Sequence, residues 1–79
     1  MNRQWKDADQ DTFYYYNILD GRIVGQVHKV VHTKVWLAKI LYNVNEEKYL
    51  GMYIDTSSAQ NAVTEFWSIE ERTLPYTEV

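Results

Sequence analysis

Seventy-nine residues with 8 Lys+Arg, 11 Asp+Glu and no cysteine make room for one small domain, and they exclude a multidomain enzyme and any disulfide or zinc–thiolate staple. A chain this short buries only ~60% of the surface it exposes when unfolded, so its core has to be built on large rings: 46% of the residues are apolar, with three Trp and seven Tyr. The net charge of −3 is unevenly spread, residues 13–54 summing to +2 and residues 55–79 to −4. No apolar run reaches signal-peptide or membrane-spanning length, so a soluble, cytoplasmic protein without membrane association is expected.

Residues 1–12 are polar, hold Asp7, Asp9 and Asp11 and one large apolar anchor, Trp5, and read as a mobile N-terminal arm or a loosely packed turn. From Phe13 to Leu19 strand formers dominate. They end at Asp20-Gly21, a pair favoured in type I′ hairpins, whose two central residues need positive φ. A two-residue turn there sets Leu19 opposite Arg22, Asn17 opposite Val24 and Tyr15 opposite Gln26. Tyr14, Tyr16, Ile18, Ile23 and Val27 then share the other, more apolar face, which is expected to be the core. A second short turn at His32-Thr33 pairs Lys29 with Trp36, Val27 with Ala38, Gly25 with Ile40 and Ile23 with Tyr42. Trp36, Ala38, Ile40 and Tyr42 join the core face. Residues 43–47 read as a polar hairpin connector, and Lys48 to Ile54 alternates, with Leu50, Met52 and Ile54 one way and Tyr49, Gly51 and Tyr53 the other.

After Asp55 the apolar period lengthens. Ala59, Ala62, Val63, Phe66 and Trp67 form one helical stripe, expected to run to about Glu71 or Arg72. Ser57 with Gln60 makes a capping box, Asp55 and Thr56 being alternative caps. Pro75 forbids continuation and leaves residues 73–79 as a C-terminal tail. The expected architecture is a single α+β domain over residues 13–72, an antiparallel sheet of three to four strands in meander order with one C-terminal helix packed on one face.

Trp36-Leu-Ala-Lys-Ile40, Tyr49-Leu-Gly-Met-Tyr53 and Asp55-Thr56 opening an alanine-bearing helix resemble the DNA-binding domain of plant ethylene-response factors, and the same plan occurs in the arm-site-binding domains of phage and transposon tyrosine recombinases. The resemblance covers about residues 22–67. It implies a sheet laid in the major groove of double-stranded DNA, with Arg22 and Lys39 on phosphate, Gln26 on an adenine edge, and tyrosines on sugars. The outer face offered for this presents Tyr15, Arg22, Gln26, His28, Lys39, Tyr49 and Tyr53. That family's sheet carries several arginines, whereas the cations in this region are Arg22, Lys29, Lys34, Lys39 and Lys48.

The same outer face also holds Val24, Val30, Val35, Leu37 and Leu41, more apolar side chains than a solvated antiparallel face carries. Three covers suit it: the N-terminal arm folding back through Trp5, a second copy of the chain, or a different protein. The function expected is therefore a small non-catalytic interaction or accessory module, of the kind phages and mobile elements carry, acting through that face, Leu37 included, with self-association or a protein partner. The alternative is a DNA-binding module.

Other constellations do not add up to a site. His28 and His32 lie about 13 Å apart along an extended chain, and no third ligand is in view for a metal. Glu46-Glu47 and Glu70-Glu71 diverge as adjacent side chains, Ser57-Ser58 suits a helix cap, and Gly21, Gly25 and Gly51 are too scattered for a phosphate loop. Neither a catalytic residue nor a metal, cofactor or small-molecule substrate is expected.

Overall fold

The computed structural model describes residues 3–43 and 45–73. Five strands, β1 (Arg3–Asp9), β2 (Thr12–Asn17), β3 (Ile23–Lys29), β4 (Trp36–Asn43) and β5 (Glu46–Tyr53), form one antiparallel meander in the order β1-β2-β3-β4-β5. The one helix among the described residues, α1 (Thr56–Thr73), packs across β3, β4 and β5. The class and plan are those expected, but the strand count is higher. The segment read as an arm is β1, pairing with β2 from Arg3 opposite Asn17 to Asp7 opposite Phe13. Trp5 gives that polar segment its reason to order, because its ring stacks on Tyr15 at 4.8 Å. The expected tail from residue 74 onward lies outside the described residues.

The loop between β2 and β3 is longer than a type I′ turn, and its length decides which tyrosines face the core. Asp20 uses its carboxylate to accept the Arg22 N–H at 2.9 Å, an Asx turn that competes with the positive φ the short hairpin needs. Gly21 takes a φ of 73° and donates its N–H to the Asn17 carbonyl at 2.8 Å. Asn17 then bonds the Arg22 carbonyl rather than facing Val24. A bulge follows at Val24, between the pairs Tyr16–Ile23 and Tyr15–Gly25. Tyr15 therefore lies opposite Gly25, not Gln26, and the parity of β2 is the reverse of the expected one. Tyr15 packs on the helix-side core, while Tyr14, Tyr16 and Ile23 are on the outer face.

The β3–β4 register is as expected, with Lys29 opposite Trp36, Val27 opposite Ala38 and Gly25 opposite Ile40. The connection is nevertheless longer: Val30 donates to the Val35 carbonyl, and Thr33 bonds Val30 through both its N–H and its hydroxyl. Lengthening a hairpin loop equally on both sides of its centre leaves the pairing unchanged. Ile23, beyond the bulge, is outward while Tyr42 packs on the core.

β5 begins at Glu46, earlier than expected, because Asn43 pairs directly with Glu46 and donates its amide to that carboxylate at 2.8 Å. A second bulge at Leu50, between Lys39–Tyr49 and Ala38–Gly51, reverses parity partway along the strand. Leu50 and Tyr53 pack on the core, whereas Met52 and Ile54 are exposed. Tyr53 is thus not an outer-face residue.

Val27, Ala38, Ile40, Ala59 and Val63 are fully buried between sheet and helix. The predicted helical stripe supplies Ala59 and Val63, with Phe66 and Trp67 packed beside them. Asp55 is the cap: its carboxylate accepts the Ser58 N–H at 2.7 Å.

Candidate interaction surface

The helix covers one face of the sheet, and no described element covers the other. With the observed register the outer face has two well-defined cross-strand rows. One runs Lys6, Tyr14, Gln26, Lys39, Tyr49 from β1 to β5, and the next pairs Gln4 with Tyr16, Tyr16 with Ile23, and Leu41 with Glu47, Ile23 and Leu41 lining one hollow. Toward the opposite end Thr12, His28, Leu37 and Met52 line up.

Of the sequence-derived candidates, Gln26, His28, Leu37, Lys39 and Tyr49 share this face, and Arg22 stands at its end. Tyr15 and Tyr53 do not belong to it. Tyr15 lies between Trp5 and the position a Gly25 side chain would occupy, its Cβ within 3.3 Å of that point. The arm is not a cover for the outer face either, because Trp5 packs on the helix side through Tyr15.

Lys6, Tyr14, Tyr16, Ile23 and Glu47 are outer-face residues that the sequence reading left out. The signal for the tyrosines was Gly25. Once β3–β4 pairing turns Gly25 inward, a large ring on the neighbouring strand fills the space above it, and Tyr15 is that ring.

The charges on this face are organised rather than scattered. The Lys39 ammonium sits 3.1 Å from a Glu47 carboxylate oxygen and 5.6 Å from the centre of the Tyr49 ring. The Lys39 side chain is only 15% exposed. Arg22 donates its guanidinium to the Tyr42 carbonyl. Nδ1 of His28 is buried without a hydrogen-bond partner among the described residues.

Ile23 rises between two shallow hollows. One is lined by Lys6, Tyr14 and Tyr16, the other by Arg22, Leu41 and Glu47. Lys6 and two phenols thus lie on the β1 side, and Arg22 with the Glu47 carboxylate on the β5 side.

His28 is on a strand and His32 in the following loop with a φ of 64°, and among the described residues no three His, Asp or Glu side chains gather as a metal site. No helix among the described residues is long and apolar enough to cross a membrane. The chain matches no protein-family model, no curated protein and no solved structure.

Proposed function

We propose that this chain is a small non-catalytic binding module that takes a protein partner on the outer face of its sheet. One observation carries the reading: Tyr14, Tyr16, Ile23, Leu37, Leu41, Tyr49 and Met52 are on a single face that no described element covers. Tyrosine, methionine and isolated aliphatic groups around a few polar side chains are the composition of a protein contact surface.

The resemblance to the ethylene-response-factor and recombinase arm-site domains makes double-stranded DNA the competing ligand. Protein is favoured over DNA by Lys39. A groove-reading sheet needs cations free for phosphate, and Lys39 is bound to Glu47 on its own face.

The test is affinity capture from the native host with the wild-type chain, with Leu37→Glu on the face, and with Asn61→Lys on the helix as the control. A captured protein lost with Leu37→Glu and kept with Asn61→Lys is the expected result. A gel shift with duplex DNA at about 50 mM salt that Lys39→Glu abolishes, without a Leu37-dependent protein, overturns it in favour of DNA.

A further inference from the structure

Resting on the reading that the outer face is the contact surface, we infer that its occupant is a second copy of this chain. The two copies pack face to face about a two-fold axis lying along β3, so that β1 of each copy covers β5 of the other.

Charge selects this axis. A two-fold across the strands along the row of Gln26 sets Lys39 on Lys39 and Lys6 on Lys6, and like charges in a desolvated contact are rejected at a cost of several kcal/mol. The axis along β3 instead brings Tyr14, in the same cross-strand row as Lys39, over the Lys39 of the second copy. Lys39 already lies near one tyrosine ring in its own chain, and a second phenol completes a cation–π sandwich. Tyr16 falls over Leu41. The hollow holding Lys6, Tyr14 and Tyr16 falls over the hollow holding Arg22, Leu41 and Glu47, and Arg22 is already committed to the Tyr42 carbonyl. Ile23 and Gln26 lie on β3 and meet their own counterparts. An isoleucine suits another isoleucine, and a primary amide carries both donor and acceptor and so is its own complement.

Area agrees with the same conclusion. Five strands at ~4.8 Å spacing and about seven residues at ~3.3 Å span roughly 24 by 23 Å. Two such faces bury about 1,100 Å², just under the ~1,200 Å² lower bound of standard specific interfaces and above the ~800 Å² of incidental contacts.

The absence of cysteine makes the geometry testable with single thiols. Packed sheets lie about 10 Å apart, beyond the ~7 Å Cα reach of a disulfide, so the probe is a short bismaleimide. The wild-type chain is expected to sediment as a dimer at micromolar concentration. Gln26→Cys is expected to crosslink to dimer and Asn61→Cys, on the helix, to remain monomeric on a denaturing gel. Ile23→Glu, at a position 41% exposed and so compatible with the fold by circular dichroism, should weaken association about 100-fold by placing two carboxylates on the axis.

A wild-type monomer at these concentrations overturns the inference, as does a dimer in which Gln26→Cys fails to crosslink. A monomer that still captures a host protein in a Leu37-dependent way overturns self-pairing and leaves the broader reading standing. Loss of both ends the broader reading as well.

Discussion

The indole Nε1–H of Trp67 donates to the backbone carbonyl of Val24 at 3.1 Å, joining the C-terminal half of the helix to the bulge in β3. The bulge sets Val24 between two ladder pairs, and an extra residue in a bulge is left out of regular pairing. Trp67 supplies a partner for its carbonyl. Arg3 from the edge strand lies over the Trp67 ring at 4.9 Å while its Nε donates to Asn17. One side chain thus connects helix, central strand and edge strand.

Trp67→Phe keeps a ring in place but removes the donor and leaves the Val24 carbonyl without that partner. The expected loss is about 1–3 kcal/mol, seen as a lower urea midpoint with an unchanged slope. A midpoint equal to wild type would mean the indole bond is worth nothing to the fold.

At Gly25 the sheet and the helix approach closely. A Cβ there would lie 2.6 Å from Val63 Cγ1 and 3.3 Å from Tyr15 Cβ. Gly25→Ala should cost about 1–3 kcal/mol by overpacking. Adding Val63→Ala removes the methyl that is struck, so the double variant should be more stable than the sum of the two single losses implies. Strict additivity in a denaturation cycle would refute the close approach.

These relationships separate what the sequence made legible from what it hid. The helical stripe from Ala59 to Trp67 and the pairing of Val27 with Ala38 follow from apolar period and position, which tertiary packing reinforces. The parity of Tyr15 was hidden because it depends on a loop length and a bulge. Asp20-Gly21 looks like a two-residue turn, yet the Asp20 side chain has an equally good local bond to Arg22. The bulge at Leu50 hid Tyr53 in the same manner, since one extra residue inverts every side chain beyond it. The candidate face was legible through Gln26, His28, Leu37, Lys39 and Tyr49, all of which lie between these two irregularities or beside the regular β3–β4 pairing. Trp5 in β1 was hidden because a polar edge strand has only one face with anything to bury.

The helix cap should give a measurable pH dependence. The Ser58 N–H, and then its side chain, hydrogen-bond to the Asp55 carboxylate and hold its pKa below the ordinary value of 3.8, against a small opposing effect of desolvation. A carboxylate depressed in the folded state stabilises above its unfolded pKa and loses that contribution as pH falls through the folded value. Asp55→Asn keeps an acceptor for Ser58 without the charge. The wild-type advantage over Asp55→Asn in urea midpoint should therefore be flat above about pH 5 and shrink below 3.8. A difference that grows on acidification would contradict the cap assignment.

Adjacent tyrosines provide the sharpest check on which face is which. Tyr15 stacks on Trp5 and packs on the core over Gly25, whereas its neighbour Tyr16 lines the outer hollow beside Ile23. Removing a ring from a packed interior costs about 3–5 kcal/mol in full burial and less where burial is partial, so Tyr15→Ala should cost about 2–4 kcal/mol. Tyr16→Ala should cost under about 1 kcal/mol in the monomer, since an outer-face ring leaves no cavity behind. Both are read by chemical denaturation at submicromolar concentration, where self-pairing makes no contribution. At higher concentration the order reverses for association: Tyr16→Ala should weaken dimerisation, while folded Tyr15→Phe, which keeps the stacked ring, should leave it unchanged. Equal stability losses at the two positions would restore the register in which Tyr15 faces outward and remove the basis for the proposed surface.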